Sequence, residues 1–179
     1  MVGEVLMSGS TDELVEKWLI EEGFNVRRLE PQPPFKVVWG LDVFTQPPMN
    51  INFKVFRPEG REDRYVLLIG VAVSPEHRRK LNELSPEEVL KFTSKLMCRV
   101  ISMCPACNVV VQPSTVDPQA ISVAQAVFRD EVSEGFKPRF VERVYVLINS
   151  FFTIVSTFNE EFPIIPAKAK SGKEPSTII

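Results

Sequence analysis

The feature that most constrains this chain is a stretch of sixteen residues without a charge near its end, Val144 to Asn159. A helix that spans a bilayer needs roughly 20 apolar residues, so this stretch is too short for one. It also contains polar side chains, among them Asn149, Ser150 and Thr153. We therefore expect a buried helix in a protein that does not bind a membrane.

The apolar residues between Pro138 and Phe158 cover about half of a helical wheel, which is more than a helix resting on one sheet requires. Several of them repeat at alternating spacings of three and four, the period of a helix–helix seam. We predict that an identical chain covers part of this helix, because twofold homodimers are the commonest oligomers. The predicted interface residues are Val144, Ile148, Phe151, Phe152, Val155 and Phe158. The alternative is a helix buried centrally within one monomer.

Helix starts and strand periods divide the rest of the chain. The boxes Ser10 to Glu13 and Ser85 to Glu88 predict two helix starts, because serine and glutamate can each cap a backbone N–H of the first turn. The predicted elements are a helix at 11–22, strands at 35–44, 51–57 and 65–73, a helix at 86–103, strands at 108–112 and 121–128, and a helix at 138–158. The almost wholly apolar run 65–73 predicts a central strand covered on both faces.

These elements predict an α+β chain with an antiparallel sheet of about five strands and three main helices, in the order α-β-β-β-α-β-β-α. With 179 residues we expect a single domain, 1–163, and a flexible tail, 164–179. The net charge of −2 offers no basic field, so we expect no nucleic-acid partner. Because Met1 to Ser10 lacks the basic start and apolar stretch of a signal peptide, we expect a cytoplasmic protein.

Cys104 and Cys107 form the one motif that could carry chemistry, since a Cys-x-x-Cys pair can be a redox dithiol or half of a zinc site. Redox dithiols lie at helix N-termini, which lower the thiol pKa, whereas this pair follows a predicted helix C-terminus. Zinc needs two further ligands, and Cys98 and His77 are the remaining cysteine and histidine. We expect no metal within one chain, while a zinc site shared across a dimer stays open. The plainer interpretation is a helix-to-strand turn, or a disulfide.

The remaining polar residues complete no catalytic or cofactor motif. Ser74 lies three residues before His77, but no orienting carboxylate is in view, and we expect a capping serine and a surface histidine. The glycines are isolated from one another, so none forms a phosphate-binding loop. We expect a protein without a cofactor that is not an enzyme.

The order of the elements from the helix that Ser10 caps to the one that Pro138 opens resembles the type III secretion chaperone-like fold, found also in YbjN-like proteins and uncharacterised archaeal relatives. The resemblance covers about residues 10–160 and rests on element order. It implies an antiparallel sheet covered by helices, a dimer, and a surface that binds extended segments of other proteins. The secretion chaperones use no metal or cofactor.

Two functional hypotheses follow, and peripheral membrane association through residues 144–158 is a third possibility. The first is a non-enzymatic, homodimeric protein-binding module, an adaptor or chaperone, whose strands could present apolar surface through Trp39, Phe44, Phe53 and Phe56. At least two of these aromatic residues are expected in the core instead. The second is a thiol redox or zinc-binding function at Cys104 and Cys107.

Overall fold

The structure is a computed structural model that describes residues 10–30 and 36–164. Its α-helices are α1 (Thr11–Glu21), α2 (Pro75–Asn82), α3 (Pro86–Met103) and α4 (Lys137–Glu161). Its strands are β1 (Asn25–Arg28), β2 (Val37–Phe44), β3 (Asn52–Pro58), β4 (Arg64–Ala72), β5 (Asn108–Ser114) and β6 (Asp117–Phe128). The chain is α+β, in the order α-β-β-β-β-α-α-β-β-α. The predicted tail lies outside the described residues, apart from Ile164.

The strands form one sheet in the order β1-β2-β3-β4-β6-β5, and every neighbouring pair is antiparallel. The first four strands follow one another as a meander. The chain then leaves the sheet to form α2 and α3, and it returns as the β5–β6 hairpin. Because β6 pairs with β4, this hairpin extends the sheet on the side opposite β1.

Two capping boxes begin helices where the sequence predicts them. Ser10 Oγ accepts a hydrogen bond from Glu13 N at 3.3 Å, and the Glu13 carboxylate accepts one from Ser10 N at 2.9 Å. The same reciprocal pair joins Ser85 and Glu88 at the start of α3. These bonds satisfy backbone N–H groups that a helix N-terminus otherwise leaves without partners, and the two predicted starts are confirmed.

Within residues 10–30 and 36–164, helices cover one face of the sheet. Along β4, Tyr65, Leu67 and Ile69 are buried among the helices, whereas the alternate residues Val66 and Leu68 are only half-buried. The prediction that this strand is covered on both faces is therefore wrong. The continuous apolar run predicted that other elements pack against both faces of β4. Its second row of apolar side chains, which includes Val66 and Leu68, instead lies on a face that no described element covers.

The core lies between that inner sheet face and three helices. Helix α4 packs on β4 and β6 in the middle, with α1 on one side and α3 on the other. The rings of Trp18 and Phe140 are 5.6 Å apart where α1 meets α4. The rings of Phe92 and Phe158 make the equivalent contact between α3 and α4, at 4.9 Å.

The sheet has one strand more, and the helix layer one helix more, than predicted. Strand β1 has four residues, and among them only Val26 is half-buried, so it carries no alternating pattern. Helix α2 buries only His77 and Leu81, and it was not among the predicted elements. Its start at Ser74 was recognisable, because Ser74 Oγ accepts from His77 N as an N-cap does.

Candidate interaction surfaces

Helix α4 divides the predicted interface residues between its own core and solvent. Val144, Ile148 and Phe158 are buried within their own protomer, so this half of the predicted seam belongs to the monomer core. Phe151 and Val155 are half-buried against that core, and Phe152 is 45% exposed. The wheel pattern could not separate these roles, because a core and a partner both select apolar residues.

What α4 leaves exposed is an aromatic strip without charges. Tyr145 and Phe152 are 46% and 45% exposed, and the ring of Phe151 lies 5.6 Å from that of Phe152 in an edge-to-face contact. We call Tyr145, Phe151, Phe152 and Val155 the α4 flank. The opposite side of α4 is occupied by α3, where Arg99 bonds Glu160. Within the described residues, the flank therefore lies away from α3, and its exposed rings are open to a partner apart from the contact of Tyr145 with the ring of Phe24 at 6.3 Å.

Helix α4 also has the length and composition of a membrane-spanning helix. The segment Glu134–Glu161 reaches a mean hydropathy of 1.2 over its most apolar window, and 39% of that window is buried inside the protein. The core helix of a soluble protein can have the same length and composition. Hydropathy alone therefore gives only weak support for membrane insertion of this segment.

A cleft crosses the open face of the sheet from β1 to β4 and encloses about 410 Å³. We call it the sheet cleft. Its apolar lining consists of Leu29, Val37, Phe44, Phe56 and Leu68. Its charged lining consists of Arg27, Arg28, Glu30, Asp42 and Lys54. A volume of this size is within the range of sites that bind ligands.

The absence of a side chain at Gly40 shapes one end of the sheet cleft. A Cβ added there would lie 2.9 Å from Leu29 Cδ2 and 3.1 Å from Phe56 Cβ. Because real Cβ atoms almost never approach other atoms this closely, only glycine lets these two apolar side chains close over β2. The backbone is tied there as well, since Leu29 N donates to Gly40 O at 3.0 Å.

The four aromatic residues proposed from the sequence as apolar surface divide evenly. Phe53 is in the core, and Trp39 is half-buried against it, with its ring edge-to-face to Tyr65 at 5.6 Å. Phe44 and Phe56 line the sheet cleft, but Phe56 is itself buried, at 7% exposure, so Phe44 is the more exposed of the two. The sequence did not point to Arg27, Leu29 or Leu68 as partners of these rings, because only the pairing of strands brings them together.

Cys104 and Cys107 are joined by a disulfide at the end of α3. Their Cα atoms are 5.3 Å apart, within the usual range, and Cys107 N donates to Cys104 O at 3.0 Å. Cys104 caps the C-terminus of α3 and is only 3% exposed. A buried sulfur at the negative end of a helix is poorly placed for thiol exchange. This geometry is that of a clamp on the turn between α3 and β5.

Reducing this disulfide is expected to lower the free energy of unfolding by only about 2 kcal/mol. The effect is small because a disulfide that closes a very short loop restricts the unfolded chain less than one that closes a long loop. The measurement is urea denaturation with and without dithiothreitol. The variant with Cys104→Ser and Cys107→Ser should be insensitive to the reductant, and Cys98→Ser, at an exposed free cysteine, should behave as wild type. A thiol that titrates well below its ordinary pKa after reduction would instead support a redox function.

His77 is buried, which corrects the expectation of a surface histidine. Its Nδ1 lies 3.1 Å from Ser74 Oγ, and its ring packs 5.2 Å from that of Phe158. Its Nε2 has no hydrogen-bond partner within the described part of the chain. No three histidine, cysteine, aspartate or glutamate residues within 10–30 and 36–164 gather as metal ligands do.

An ionic cluster fixes the start of α1 to the sheet. Arg57 donates from Nε and Nη2 to the two carboxylate oxygens of Asp12, at 2.9 and 2.7 Å, and the Tyr65 hydroxyl donates to Asp12 Oδ1 at 2.6 Å. The hydrogen bond to Asp12 raises the pKa of Arg57, and burial raises the pKa of Tyr65 well above its usual value. Arg57 therefore stays charged and Tyr65 stays neutral at neutral pH, and the cluster is structural.

Comparison with known families decides what kind of chain this is. A family model described as "Uncharacterized conserved protein (DUF2299)" matches residues 11–158. The chain belongs to the DUF2299 family. The matched region runs from the first residue of α1 into the last turn of α4, so both the α4 flank and the sheet cleft belong to the DUF2299 domain. Comparison with curated proteins gives no match.

A solved structure shares the fold of this DUF2299 chain. It is described as an uncharacterized protein from Methanothermobacter thermautotrophicus, and it superposes with a TM-score of 0.72 at 21% sequence identity. The match covers 85% of this chain and 99% of the archaeal one. At this identity the likeness concerns the fold alone. The expected likeness to an uncharacterised archaeal protein is confirmed, whereas neither comparison names a secretion chaperone.

Proposed function

We propose that this protein is a non-enzymatic binding module, an adaptor or chaperone of the secretion-chaperone type, that works as a homodimer in the cytoplasm. The observation that carries the dimer is the α4 flank, where two aromatic side chains stand half-exposed in a segment without charges. The cores of protein–protein interfaces are rich in tyrosine and phenylalanine and poor in charged residues.

The exposed residues of α4 favour a second copy of the same helix. Tyr145, Asn149, Phe152 and Ser156 are all exposed, and their spacings of four, three and four repeat the period of a helix–helix seam. A twofold axis would place Phe152 of each copy near the middle of such a contact, since an isologous interface pairs the same patch with itself. The flanking Phe151 and Val155, already anchored in the core, would complete the buried surface.

Light scattering coupled to size-exclusion chromatography tests the dimer directly. The wild-type chain should elute at twice 20.3 kDa. Phe152→Lys should raise the dimer dissociation constant at least about thirtyfold, because the loss of one central aromatic anchor costs about 2 kcal/mol and both copies lose theirs. Since Phe152 is exposed, the variant should keep the wild-type circular dichroism spectrum.

A matched control is Val110→Lys, which puts the same charge at another exposed apolar position, on β5 of the open sheet face. It should leave the dimer intact. A wild-type chain that runs as a single subunit at every concentration would overturn the homodimer.

The second candidate function is thiol chemistry at Cys104 and Cys107, which the bonded pair brings into consideration. The buried position of Cys104 favours the clamp described above. The reduction experiment separates the two, since a clamp changes stability whereas a redox site requires an activated thiolate.

A further inference from the structure

The sheet cleft is a formed depression that no described element fills, and it holds an unusual cation. The guanidinium of Arg27 lies 5.2 Å from the centroid of the Phe44 ring. Within residues 10–30 and 36–164 it makes no ion pair, whereas Arg28 bonds Glu16 and Lys54 bonds Asp42. Arg27 is thus the cation of the cleft whose hydrogen-bonding capacity is left for a ligand.

The floor beside Arg27 is apolar and extends across the sheet. Phe44, Phe56 and Leu68 come from three successive strands, β2, β3 and β4, and Leu29 closes the side next to Gly40. An occupant therefore needs apolar groups along its length and a negative charge at the end that lies over β1. Glu30 also lines the cleft and makes no ion pair within the described residues. Its carboxylate would repel any further acidic group of the occupant that came close to it.

The dimensions of the sheet cleft fit an extended peptide. Neighbouring strands lie about 4.8 Å apart, so the distance from β1 to β4 is about 14 Å. An extended chain rises about 3.3 Å per residue, so about five residues span that distance. Since alternate side chains of an extended segment point the same way, two or three of the five would enter the cleft.

We propose that the sheet cleft binds an extended segment of a partner protein, about five residues long, with apolar side chains at alternate positions and an aspartate or glutamate that meets Arg27. This inference rests on the proposed protein-binding function and states the chemistry of the segment bound. An arginine stacked on an aromatic ring is a common anchor of such interfaces, because its planar fork bonds both carboxylate oxygens.

Selection from a random dodecapeptide library displayed on phage tests the proposal. The baits are the wild-type protein, Arg27→Glu, and the control Arg79→Glu, which reverses an exposed charge on α2. Wild type and Arg79→Glu should enrich the same pattern of alternating apolar residues with one acidic residue. Arg27→Glu should lose that pattern and enrich a basic residue at the same place.

Fluorescence anisotropy with one selected peptide gives the magnitude. Its dissociation constant should rise about tenfold or more for Arg27→Glu and remain unchanged for Arg79→Glu. A peptide with lysine in place of its acidic residue should regain affinity for Arg27→Glu.

A consensus without an acidic residue, or the same consensus on Arg27→Glu, would overturn the proposal. Peptides that bind all three baits equally would show that the protein binds peptides at a surface other than the sheet cleft, which would overturn the proposal but not the protein-binding function. Failure to select any peptide counts against peptide binding altogether, while the dimer is judged by light scattering.

Discussion

Replacing Phe140 by alanine is expected to lower the free energy of unfolding by about 4 kcal/mol. The Phe140 side chain is fully buried, at 0% exposure, and its ring packs against Trp18 where α1 meets α4. Truncation removes the apolar contacts and leaves a cavity that the surrounding sheet and helices can only partly fill. The loss should appear in urea denaturation as a shifted midpoint with an unchanged slope.

The experiment should be done in the Phe152→Lys background, because dissociation of a dimer would otherwise make stability depend on protein concentration. Phe128→Ala is the matched control. It makes the same substitution at an exposed phenylalanine at the end of β6, and it should cost less than about 1 kcal/mol. Equal losses at the two positions would contradict the assignment of Phe140 to the core.

Removing the carboxylate of Asp12 is expected to cost about 3 kcal/mol, because Asp12→Ala leaves the Arg57 guanidinium with only its long ion pair to the exposed Glu62, at 3.9 Å. The Arg57 side chain is only 9% exposed, and it donates two hydrogen bonds to Asp12. The Tyr65 hydroxyl loses its shorter acceptor and keeps the one at Thr11 Oγ1, 2.9 Å away. The main cost therefore comes from the guanidinium, which would be charged and buried with no carboxylate within hydrogen-bonding distance.

A control variant and a double variant test whether the loss of stability comes from this cluster or from the removal of any surface charge. Asp130→Ala removes an exposed aspartate and should change stability by no more than about 0.5 kcal/mol. Adding Arg57→Met to Asp12→Ala should lose less than the sum of the single variants, since no unpaired charge remains. Strictly additive losses would show that the two side chains do not act as a pair.

Local signals in the sequence predicted much of this fold. Ser10 with Glu13 and Ser85 with Glu88 determine helix starts through bonds within one turn, and no distant residue is needed. The alternation in β2 and β3 likewise reflects one buried face and one open face of the sheet. Where a short stretch of chain carries its own structural cause, the prediction was correct.

The errors concern properties that depend on residues far apart in the chain. Strand β1 was expected at most as a short extended piece at 24–29, and its place in the sheet depends on pairing with β2, as in the register of Val26 with Val43. The open face of β4 could not be read from an apolar run, and the burial of His77 depends on Phe158 from the other end of the chain. The sheet cleft was invisible for the same reason, since Arg27 and Leu68 meet only in the folded sheet.

Because the described helices lie on one side of the sheet, the residues needed for folding and the residues available for recognition lie on different faces. The residues that hold the molecule together point toward α1, α3 and α4, and those on the opposite surface contribute little to that packing. Members of the family could therefore exchange residues on the face that no described helix covers, and so change what they recognise, with little cost to folding. Gly40 is the exception, because any larger residue there would push Leu29 and Phe56 apart and alter the surface and its support together.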